Sequence, residues 1–332
     1  MKKEINISGR IISENSPAYI IAEIGLNHNK DMNLAKKTIK AAKDNGADAV
    51  KFQSFITDKL VVKSSGAYDI FKSLELSKDH FKEISDYSKE VGITFFSTPF
   101  CLECVEWLEE LDVPCYKIAS GDLNYYELVK LAAGTGKPVI LSSGMSELAE
   151  IKKTINAIEE ERNDKIILLH TISKYPPMYD EIDLQMITEL KNNYKYQIGF
   201  SDHSEDNIMS ICARVLGAAV FERHFTLDKN LNGPDHSISL MPHELKELRY
   251  KLSCVDAGLK RNDTRSDNEI KKGARRGLYA SCDIEIGERI TREMIDVVRP
   301  ANILEPKDID KLIDKKIKKP LRSGDAFDLA CI

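Results

Sequence analysis

Two lysines of this chain lie in segments predicted to be buried, where a charged group requires a partner. Lys51 lies within ADAVKFQ and Lys117 within CYKIAS, and both segments are otherwise apolar. Burying an unpaired ammonium group costs several kcal/mol, so the two lysines either snorkel from strand ends or meet at a shared anion site. Hydroxyl groups lie at the ends of four apolar segments, at Thr98, Ser120, Ser143 and Ser201. Each hydroxyl alone fits a turn, but together with the lysines they predict donors for a phosphate and a carboxylate.

Two histidines and one glutamate also lie at or near the ends of apolar segments. His203 ends YQIGFSDH, and His224 lies near the end of AAVFERHF. Imidazoles on neighbouring strand ends can chelate one divalent ion and leave positions open for water and substrate; two hydrogen-bonded histidines without a metal are the alternative. With no cysteine beside them, the pair favours Mn²⁺ or Mg²⁺ over a structural zinc. Glu23, in AYIIAEIG, is a candidate general base or a salt-bridge partner for Lys51 or Lys117.

The residues above end short apolar segments that alternate with amphipathic stretches of helical spacing, such as Asn33–Asn45 and Lys78–Val91. Repeated strand–helix alternation predicts a closed parallel (β/α)8 barrel, an α/β fold of the TIM type. Such barrels place catalysis at the carboxyl ends of their strands, so the polar residues converge on one opening, the barrel mouth. The predicted strands are Ala18–Gly25, Ala47–Gln53, Ile93–Thr98, Cys115–Ser120, Pro138–Gly144, Lys165–Thr171, Tyr196–His203 and Ala218–Phe225.

The alternation of apolar segments and amphipathic stretches stops after the predicted helix His243–Leu259, and this change divides the chain into domains. Residues 1–259 are predicted to form the catalytic barrel, and residues 260–276, polar with both charge signs, a linker. Residues 277–332 change to short strands and tight turns and predict a small β-rich domain. Within it, Gly287-Glu288 and Gly324-Asp325 each follow an apolar run, which suggests a weak internal repeat.

Composition and charge exclude several classes of function. A formal net charge of −5 over 332 residues provides no basic field for nucleic acid. The N-terminal segment lacks an apolar signal core, and no apolar stretch reaches the length of a transmembrane helix, so neither secretion nor membrane insertion is expected. Seven scattered cysteines are typical of a cytoplasmic protein with reduced thiols. Cys101 and Cys104 form a CxxC in a predicted helix; helix packing is favoured there over redox or metal duty, because no second pair completes a zinc site.

Nine segments occur in a fixed order at the predicted strand ends, namely AEIGLNHN, AVKFQ, FSTPF, YKIASGDL, SSGM, YPP, GFSDHS, ERHFTLD and GPDHSISL. In these segments the chain resembles the sialic acid (N-acetylneuraminate) synthase family, and the resemblance covers almost its whole length. This family includes related nonulosonic acid synthases of the legionaminate, pseudaminate and spore coat polysaccharide types. The C-terminal segment GLYASCDIEIGERIT, followed by VVRP, is similar to the antifreeze-like (SAF, β-clip) domain that the family carries after its barrel.

The resemblance implies a metal-dependent condensation of phosphoenolpyruvate with the open-chain aldehyde of an N-acetylated amino sugar, of the N-acetylmannosamine type, with release of phosphate. It implies His203 and His224 as metal ligands and Glu23 as the acid/base residue. Arg299 would reach the sugar from the antifreeze-like domain of a second subunit, in a domain-swapped homodimer. The implied phosphoenolpyruvate site comprises Lys51, Thr98, Lys117, Ser120, Ser143 and Ser201. The other implied sugar-binding residues are Gln53, Ser173, Tyr175 and Asp235.

The departures from the family pattern fall on the sugar side. Ser173 stands where sialic acid synthases commonly place an asparagine, and RPANILEP lacks the Gly-x-Gly that usually follows Arg-Pro. A legionaminate or pseudaminate synthase, acting on a 6-deoxy diacetamido hexose, is therefore the nearest alternative. A Schiff-base aldolase with Lys51 or Lys117 as nucleophile is a more distant one. A carbohydrate-binding or ice-binding protein built around the C-terminal domain is the non-enzymatic alternative.

Overall fold

The predicted barrel is confirmed by the computed structural model, which describes residues 4–260 and 268–332. Eight parallel strands form a closed ring in which each strand pairs with the next and the last pairs with the first. A hairpin of β1 (Ile5–Ile7) and β2 (Arg10–Ile12) precedes the ring. The ring consists of β3 (Tyr19–Gly25), β4 (Ala49–Ser54), β5 (Thr94–Pro99), β6 (Tyr116–Ile118), β7 (Val139–Ser142), β8 (Ile166–Thr171), β9 (Gln197–Ser201) and β10 (Val220–His224).

Helices of amphipathic sequence alternate with these strands, and their ends follow local capping chemistry. The side chain of Asp31 accepts hydrogen bonds from the first backbone N–H groups of the helix after β3. The helix before β5 is capped at its carboxyl end by Gly92, whose positive φ of 73° suits a residue without a side chain. The helices are α1 (Met32–Asp44), α2 (Thr57–Leu60), α3 (Tyr68–Leu74), α4 (Lys78–Val91), α5 (Leu102–Glu110), α6 (Tyr126–Gly134), α7 (Leu148–Glu160), α8 (Gln185–Asn193), α9 (Ile208–Val215), α10 (Pro242–Leu259) and α11 (Asn268–Ala274).

The barrel core consists of apolar strand residues together with the inner faces of the helices. In α1, for example, Ala35, Ile39 and Ala42 are buried, which is the spacing of one helical face. The N-terminal hairpin adds Ile5, Ile7 and Ile12 to the same core cluster. The sequence analysis gave this hairpin no structural role, although its Ser8-Gly9 turn separates two apolar runs.

The first and last strands of the ring meet along a seam that a buried asparagine reinforces. Strand β10 pairs with β3 through five residues, from Val220 opposite Tyr19 to His224 opposite Glu23. Asn27, in the loop after β3, donates hydrogen bonds to the Phe225 carbonyl at 3.0 Å and to Ser239 Oγ at 2.8 Å. These bonds tie the loops of the first and last strands together at the mouth.

The C-terminal unit has its own small core and a repeated turn. Strands β11 (Gly277–Ala280) and β12 (Ile295–Val298) pair antiparallel, and isolated bridges join Ile284 to Leu321 and Arg289 to Lys316. In one turn Glu288 accepts a hydrogen bond from the Glu285 amide, and in the other Asp325 accepts one from the Arg322 amide. Gly287 and Gly324 precede the two acidic residues, with positive φ values of 89° and 90°. The repeat seen in the sequence is therefore a repeated turn.

The chain divides into the compact units Met1–Lys260 and Arg261–Ile332. Within the stretch predicted as a linker, residues 268–274 form α11, and residues 261–267 lie outside the described residues. The boundaries at 259, 260–276 and 277 stay a prediction. Within residues 4–260 and 268–332, no helix combines the length and hydrophobicity that crossing a bilayer requires.

Candidate active site

Strand pairing places charged and polar residues of four strands side by side. On one side of β3, Glu23 is opposite Lys51; on the other side it is opposite His224. Glu222, two residues before His224, is opposite Ser201 of β9. Because side chains of a strand alternate between its two faces, Glu222 and His224 share the inner face of β10. The register therefore fixes which charges meet inside the ring.

A cavity of about 310 Å³ opens at the carboxyl ends of the strands and collects most of the predicted site residues. Its wall also contains Glu222, Ser142 and Phe100, which the sequence analysis did not select. The predicted residues that line it are Glu23, Lys51, Gln53, Thr98, Lys117, Ser120, Ser173, Tyr175, Ser201, His203 and His224. Residues from all eight strands of the ring and from their following loops thus converge on one cavity.

Lys51 is held by an acid and a hydroxyl on the cavity wall. Its Nζ lies 2.8 Å from Glu23 Oε2 and donates to Thr98 Oγ1 at 2.9 Å. The other carboxylate oxygen of Glu23, Oε1, accepts a hydrogen bond from Gln53 Nε2 at 3.0 Å. Both alternatives for Glu23 are therefore compatible with the structure, because it pairs with Lys51 and also faces the cavity. Since Thr98 accepts from Lys51, its own hydroxyl hydrogen is available to a substrate oxygen.

Glu222 is the residue that links the two lysines. One of its oxygens, Oε2, lies 3.8 Å from Lys51 Nζ, and the other, Oε1, lies 3.9 Å from Lys117 Nζ. Ser201 Oγ donates to Oε1 at 2.9 Å, so in this arrangement the Ser201 hydroxyl serves Glu222. Lys117 Nζ also donates to the Ile118 carbonyl at 3.1 Å. Two ammonium and two carboxylate groups thus form one buried cluster around the cavity.

The charges of this cluster set the protonation states of its members. Burial opposes the charge of Glu222, but Lys117 and Lys51 outweigh it and hold the Glu222 pKa at about 2. Burial also opposes the charge of Lys51, and there Glu222 and Glu23 outweigh it, so the Lys51 pKa is raised. For Lys117 burial prevails over the attraction of Glu222, and the pKa falls to about 8. At pH 7 Glu222, Lys51 and Lys117 are therefore charged, and Lys117 is the closest of the three to losing its proton.

The two histidines lie side by side at the mouth. Their ring centroids are 5.5 Å apart, and the Tyr175 ring stacks on His203 at 4.2 Å and meets the edge of His224 at 5.7 Å. His203 Nδ1 lies 2.8 Å from the Ile172 carbonyl, so that nitrogen carries the proton and Nε2 keeps its lone pair. Burial, with a contribution from His224, lowers the His203 pKa to about 4. The imidazole is therefore neutral at pH 7.

This pair suits a divalent ion that takes its remaining ligands from water and substrate. His224 Nδ1 is buried with no hydrogen-bond partner among the described residues, and Asp235 Oδ2 lies 3.7 Å from it. Across residues 4–260 and 268–332, no cluster of three or more His, Cys, Asp or Glu side chains is placed to hold a metal. Two imidazoles fit an open site, since a closed structural zinc site has four protein ligands.

Three predicted site residues are placed differently from the others. Ser143 comes after β7 and its Oγ donates to the Leu169 carbonyl, whereas Ser142, the last residue of β7, lines the cavity. Asp235 is not part of the cavity wall as described, but it approaches His224 at its rim. Arg299 lies in the C-terminal unit, after β12, and is exposed.

Two glycines keep space open between the site side chains. At Gly25, where φ is +52°, a Cβ would lie 3.1 Å from Glu23 Oε1, 3.3 Å from Gln53 Nε2 and 3.5 Å from Asp235 Oδ2. At Gly144 a Cβ would collide with Ser173 Oγ and lie 2.8 Å from Ser120 Oγ. Any larger residue at either position would displace a predicted substrate contact.

Comparison with known proteins identifies the family. A family model described as NeuB family matches residues 38–263, and a SAF domain model matches residues 275–332. The chain belongs to the NeuB family. The resemblance to sialic acid synthases and the predicted order of barrel and SAF domain are therefore confirmed.

Relatives in the NeuB family match nearly the full length of the chain. An uncharacterized protein of Methanocaldococcus jannaschii is 41% identical, with 97% of each chain covered. An N,N'-diacetyllegionaminic acid synthase of Campylobacter jejuni is 38% identical, covering 85% of this chain and 90% of its own. A pseudaminic acid synthase of the same species is 34% identical, with 93% and 95% covered. The crystal structure of an N-acetylneuraminic acid (sialic acid) synthetase from Leptospira borgpetersenii has a TM-score of 0.78 at 35% identity, covering 81% and 95%.

Proposed function

We propose that this chain is a nonulosonic acid synthase that condenses phosphoenolpyruvate with the open-chain aldehyde of an N-acetylated amino sugar and releases phosphate. The observation that carries the proposal is the buried cluster of Lys51, Lys117, Glu23 and Glu222 facing the same cavity as His203 and His224. Family membership supports the reaction class. The geometry supports the role that each residue plays in it.

The lysines bind the anionic substrate. Phosphoenolpyruvate carries a carboxylate and a phosphate, and Lys51 and Lys117 present two ammonium groups to the cavity. The Thr98 hydroxyl and Ser120, both on the wall, add neutral donors. Glu222 keeps the lysines charged and separated before the substrate arrives. Holding both reactants in one cavity raises their effective concentration and orients the two carbons that join.

Glu23 acts as the general base at the reacting centre. Attack by C3 of phosphoenolpyruvate on the aldehyde carbon forms the new bond and leaves positive charge at C2, to which water adds; loss of phosphate then gives the keto acid. The Glu23 carboxylate, at 2.8 Å from Lys51 Nζ, stabilises the charge at C2 and accepts a proton from the added water. A divalent ion at His203 and His224, Mn²⁺ or Mg²⁺, supplies Lewis-acid polarisation of the aldehyde oxygen when bound.

A second candidate differs in the sugar. The relatives named N,N'-diacetyllegionaminic acid synthase and pseudaminic acid synthase, together with Ser173 in place of the usual asparagine, favour a 6-deoxy diacetamido hexose as the acceptor. The N-acetylmannosamine type stays the first candidate on the resemblance of the barrel motifs. Both candidates share the phosphoenolpyruvate chemistry and differ only in the acceptor.

We also propose a cytoplasmic, domain-swapped homodimer in which Arg299 of one subunit contacts the sugar of the other. The three exposed cysteines, Cys212, Cys254 and Cys282, suit a reducing compartment. Sedimentation measurements on the full chain test the dimer.

The test of function is a product assay over a panel of acceptors. Purified chain is incubated with phosphoenolpyruvate, Mn²⁺ and either N-acetylmannosamine or 6-deoxy diacetamido hexoses, and phosphate release and product mass are recorded. Phosphate release with a nine-carbon keto acid product is expected, and the preferred acceptor separates the two candidates. Borohydride trapping of a lysine adduct, with activity surviving chelator, would instead support the Schiff-base aldolase, for which the lowered Lys117 pKa is the favouring observation.

A further inference from the structure

Two cysteines lie together beside the cavity and have no part in the proposed reaction. The sulfur atoms of Cys101 and Cys104, here called the CxxC pair, are 3.2 Å apart. The sequence favours helix packing for both, but Cys101 is the N-cap residue of α5 and lies outside the helix, while Cys104 lies in its first turn. The preceding residue, Phe100, lines the cavity. The pair is therefore a preformed dithiol next to the candidate active site.

The surroundings of Cys101 favour its thiolate. The hydrogen bond between the two sulfurs and the backbone N–H groups of Cys104 and Ile56 together lower the Cys101 pKa to about 6 despite burial. The same hydrogen bond and burial raise the pKa of Cys104. Of the two sulfurs, Cys101 is therefore the one that loses its proton more readily. A thiolate at the start of a helix, beside a neutral thiol, is the arrangement that makes CxxC motifs reactive.

Access also distinguishes the two sulfurs. Cys101 is 4% exposed and Cys104 is fully covered. Hydrogen peroxide is hardly larger than water, so a small exposed area suffices for it. To form a disulfide the sulfurs must approach from 3.2 Å to about 2.05 Å. This movement of about 1 Å is small for a helix N-cap residue that makes no side-chain capping bond.

We propose that the CxxC pair is an oxidation site for hydroperoxides, in which Cys101 is the nucleophile and Cys104 the resolving thiol. The Cys101 thiolate attacks one peroxide oxygen, breaks the O–O bond and becomes a sulfenic acid, while the other oxygen leaves as hydroxide. The Cys104 sulfur then attacks the sulfenic sulfur and loses its proton, and water leaves as the disulfide forms. Overall, two thiols and one peroxide give one disulfide and two waters. An added dithiol reverses the reaction by exchange.

Metal binding and the other cysteines do not account for the pair. No third His, Cys, Asp or Glu among the described residues completes a metal cluster with it. Cys115 is buried, and burial raises its pKa, so it stays a thiol. Cys212, Cys254 and Cys282 are exposed and can be replaced as a group without touching the cavity.

The test uses the full chain with Cys212→Ser, Cys254→Ser and Cys282→Ser, which leaves the CxxC pair and the buried Cys115 and Cys331. Treatment with hydrogen peroxide is expected to remove two titratable thiols and to lower the intact mass by two hydrogen atoms, and dithiothreitol is expected to restore both. A protease that cuts after Glu103 separates the two cysteines, so the oxidised protein yields a peptide pair joined through Cys101 and Cys104. Unchanged thiol content, or a disulfide involving Cys115, would overturn the proposal.

A second variant tests the division of roles. With Cys104→Ser added, no resolving thiol remains, and Cys101 is expected to accumulate as a sulfenic acid that dimedone labels. The opposite result would be dimedone labelling of Cys104 in a Cys101→Ser variant and no labelling of Cys101 in the Cys104→Ser variant. It would reverse the assigned roles and contradict the structure.

The disulfide also has a consequence at the cavity, which rests on the proposed function. Because Phe100 precedes Cys101 and lines the cavity, drawing Cys101 toward Cys104 shifts the cavity wall. Turnover is expected to fall severalfold as the disulfide forms and to recover with dithiothreitol. If the disulfide forms and turnover does not change, the pair is an oxidation site, but its proposed effect on the cavity is refuted.

Discussion

Glu222→Gln is the substitution that most directly tests the buried charge cluster. It removes one negative charge from between Lys51 and Lys117 and keeps the shape and the hydrogen-bonding oxygen of the side chain. The remaining Glu23 then faces two ammonium groups. We expect the free energy of unfolding to fall, because a buried charge that loses its partner is strongly destabilising.

The magnitude follows from the distances. At 3.8 Å the Lys51–Glu222 attraction is about 4 kcal/mol for an effective dielectric constant of about 20. The loss at Lys117 is smaller, because that lysine can release its proton: with a pKa of about 8, neutralisation at pH 7 costs about 1.4 kcal/mol. Glutamine is also easier to bury than a carboxylate, which offsets part of the loss. The net expectation is a destabilisation of about 3–5 kcal/mol.

Urea unfolding at pH 7 measures this difference. The chain contains one tryptophan, Trp107, which packs against the barrel core in α5, so its fluorescence reports on the barrel. The matched control is Glu160→Gln, which removes the carboxylate of an exposed pair with Lys130 at 2.7 Å. Exposed pairs contribute about 0–1 kcal/mol, so the control should unfold almost like the parent chain.

The result that refutes the reasoning is a Glu222→Gln variant within about 1 kcal/mol of the parent, with an unchanged dependence on urea. It would mean that the lysines do not depend on Glu222 for their charge. Restoration of stability by phosphoenolpyruvate in the variant would add support, because the ligand anion then takes the place of the missing carboxylate.

Three further predictions concern the substrates and the metal. Because the Lys117 pKa is lowered to about 8, its charge is present below that pH and lost above it; affinity for phosphoenolpyruvate by calorimetry should fall as pH rises through 8, and Lys117→Met should lack this step. His203→Ala should abolish metal-dependent turnover and weaken Mn²⁺ binding, and undiminished activity would refute the metal assignment. Arg299→Ala should raise KM for the sugar about tenfold or more through loss of a charged hydrogen bond and leave KM for phosphoenolpyruvate nearly unchanged; an equal rise for both would contradict its placement.

The barrel and most of the cavity wall could be predicted because strand ends in a parallel barrel converge whatever lies between them. Glu222 was missed although the signal was present. It lies in the apolar segment VFER, as Lys51 lies in AVKF, and the period of two places it on the same face as His224. The sequence does not distinguish Ser143 from its neighbour Ser142, the last residue of β7, which lines the cavity, because adjacent residues of a strand point to opposite faces.

The CxxC pair shows a different limit. Periodicity places Cys101 within a helix, but the helix begins one residue later. The contact between the two sulfurs is visible only in the three-dimensional structure. The N-terminal hairpin was missed because its strands of three residues are too short for a periodic signal.

The seam between β3 and β10 has a consequence for synthesis of the protein on the ribosome. Glu23 emerges early, whereas Glu222 and His224, which complete its surroundings, emerge about 200 residues later. Until then Lys51 and Lys117 lack their shared carboxylate. A nascent or prematurely terminated chain can therefore contain most of the barrel strands and still be unable to form the charge cluster. A chain truncated before β10 should be catalytically inactive even if it remains soluble.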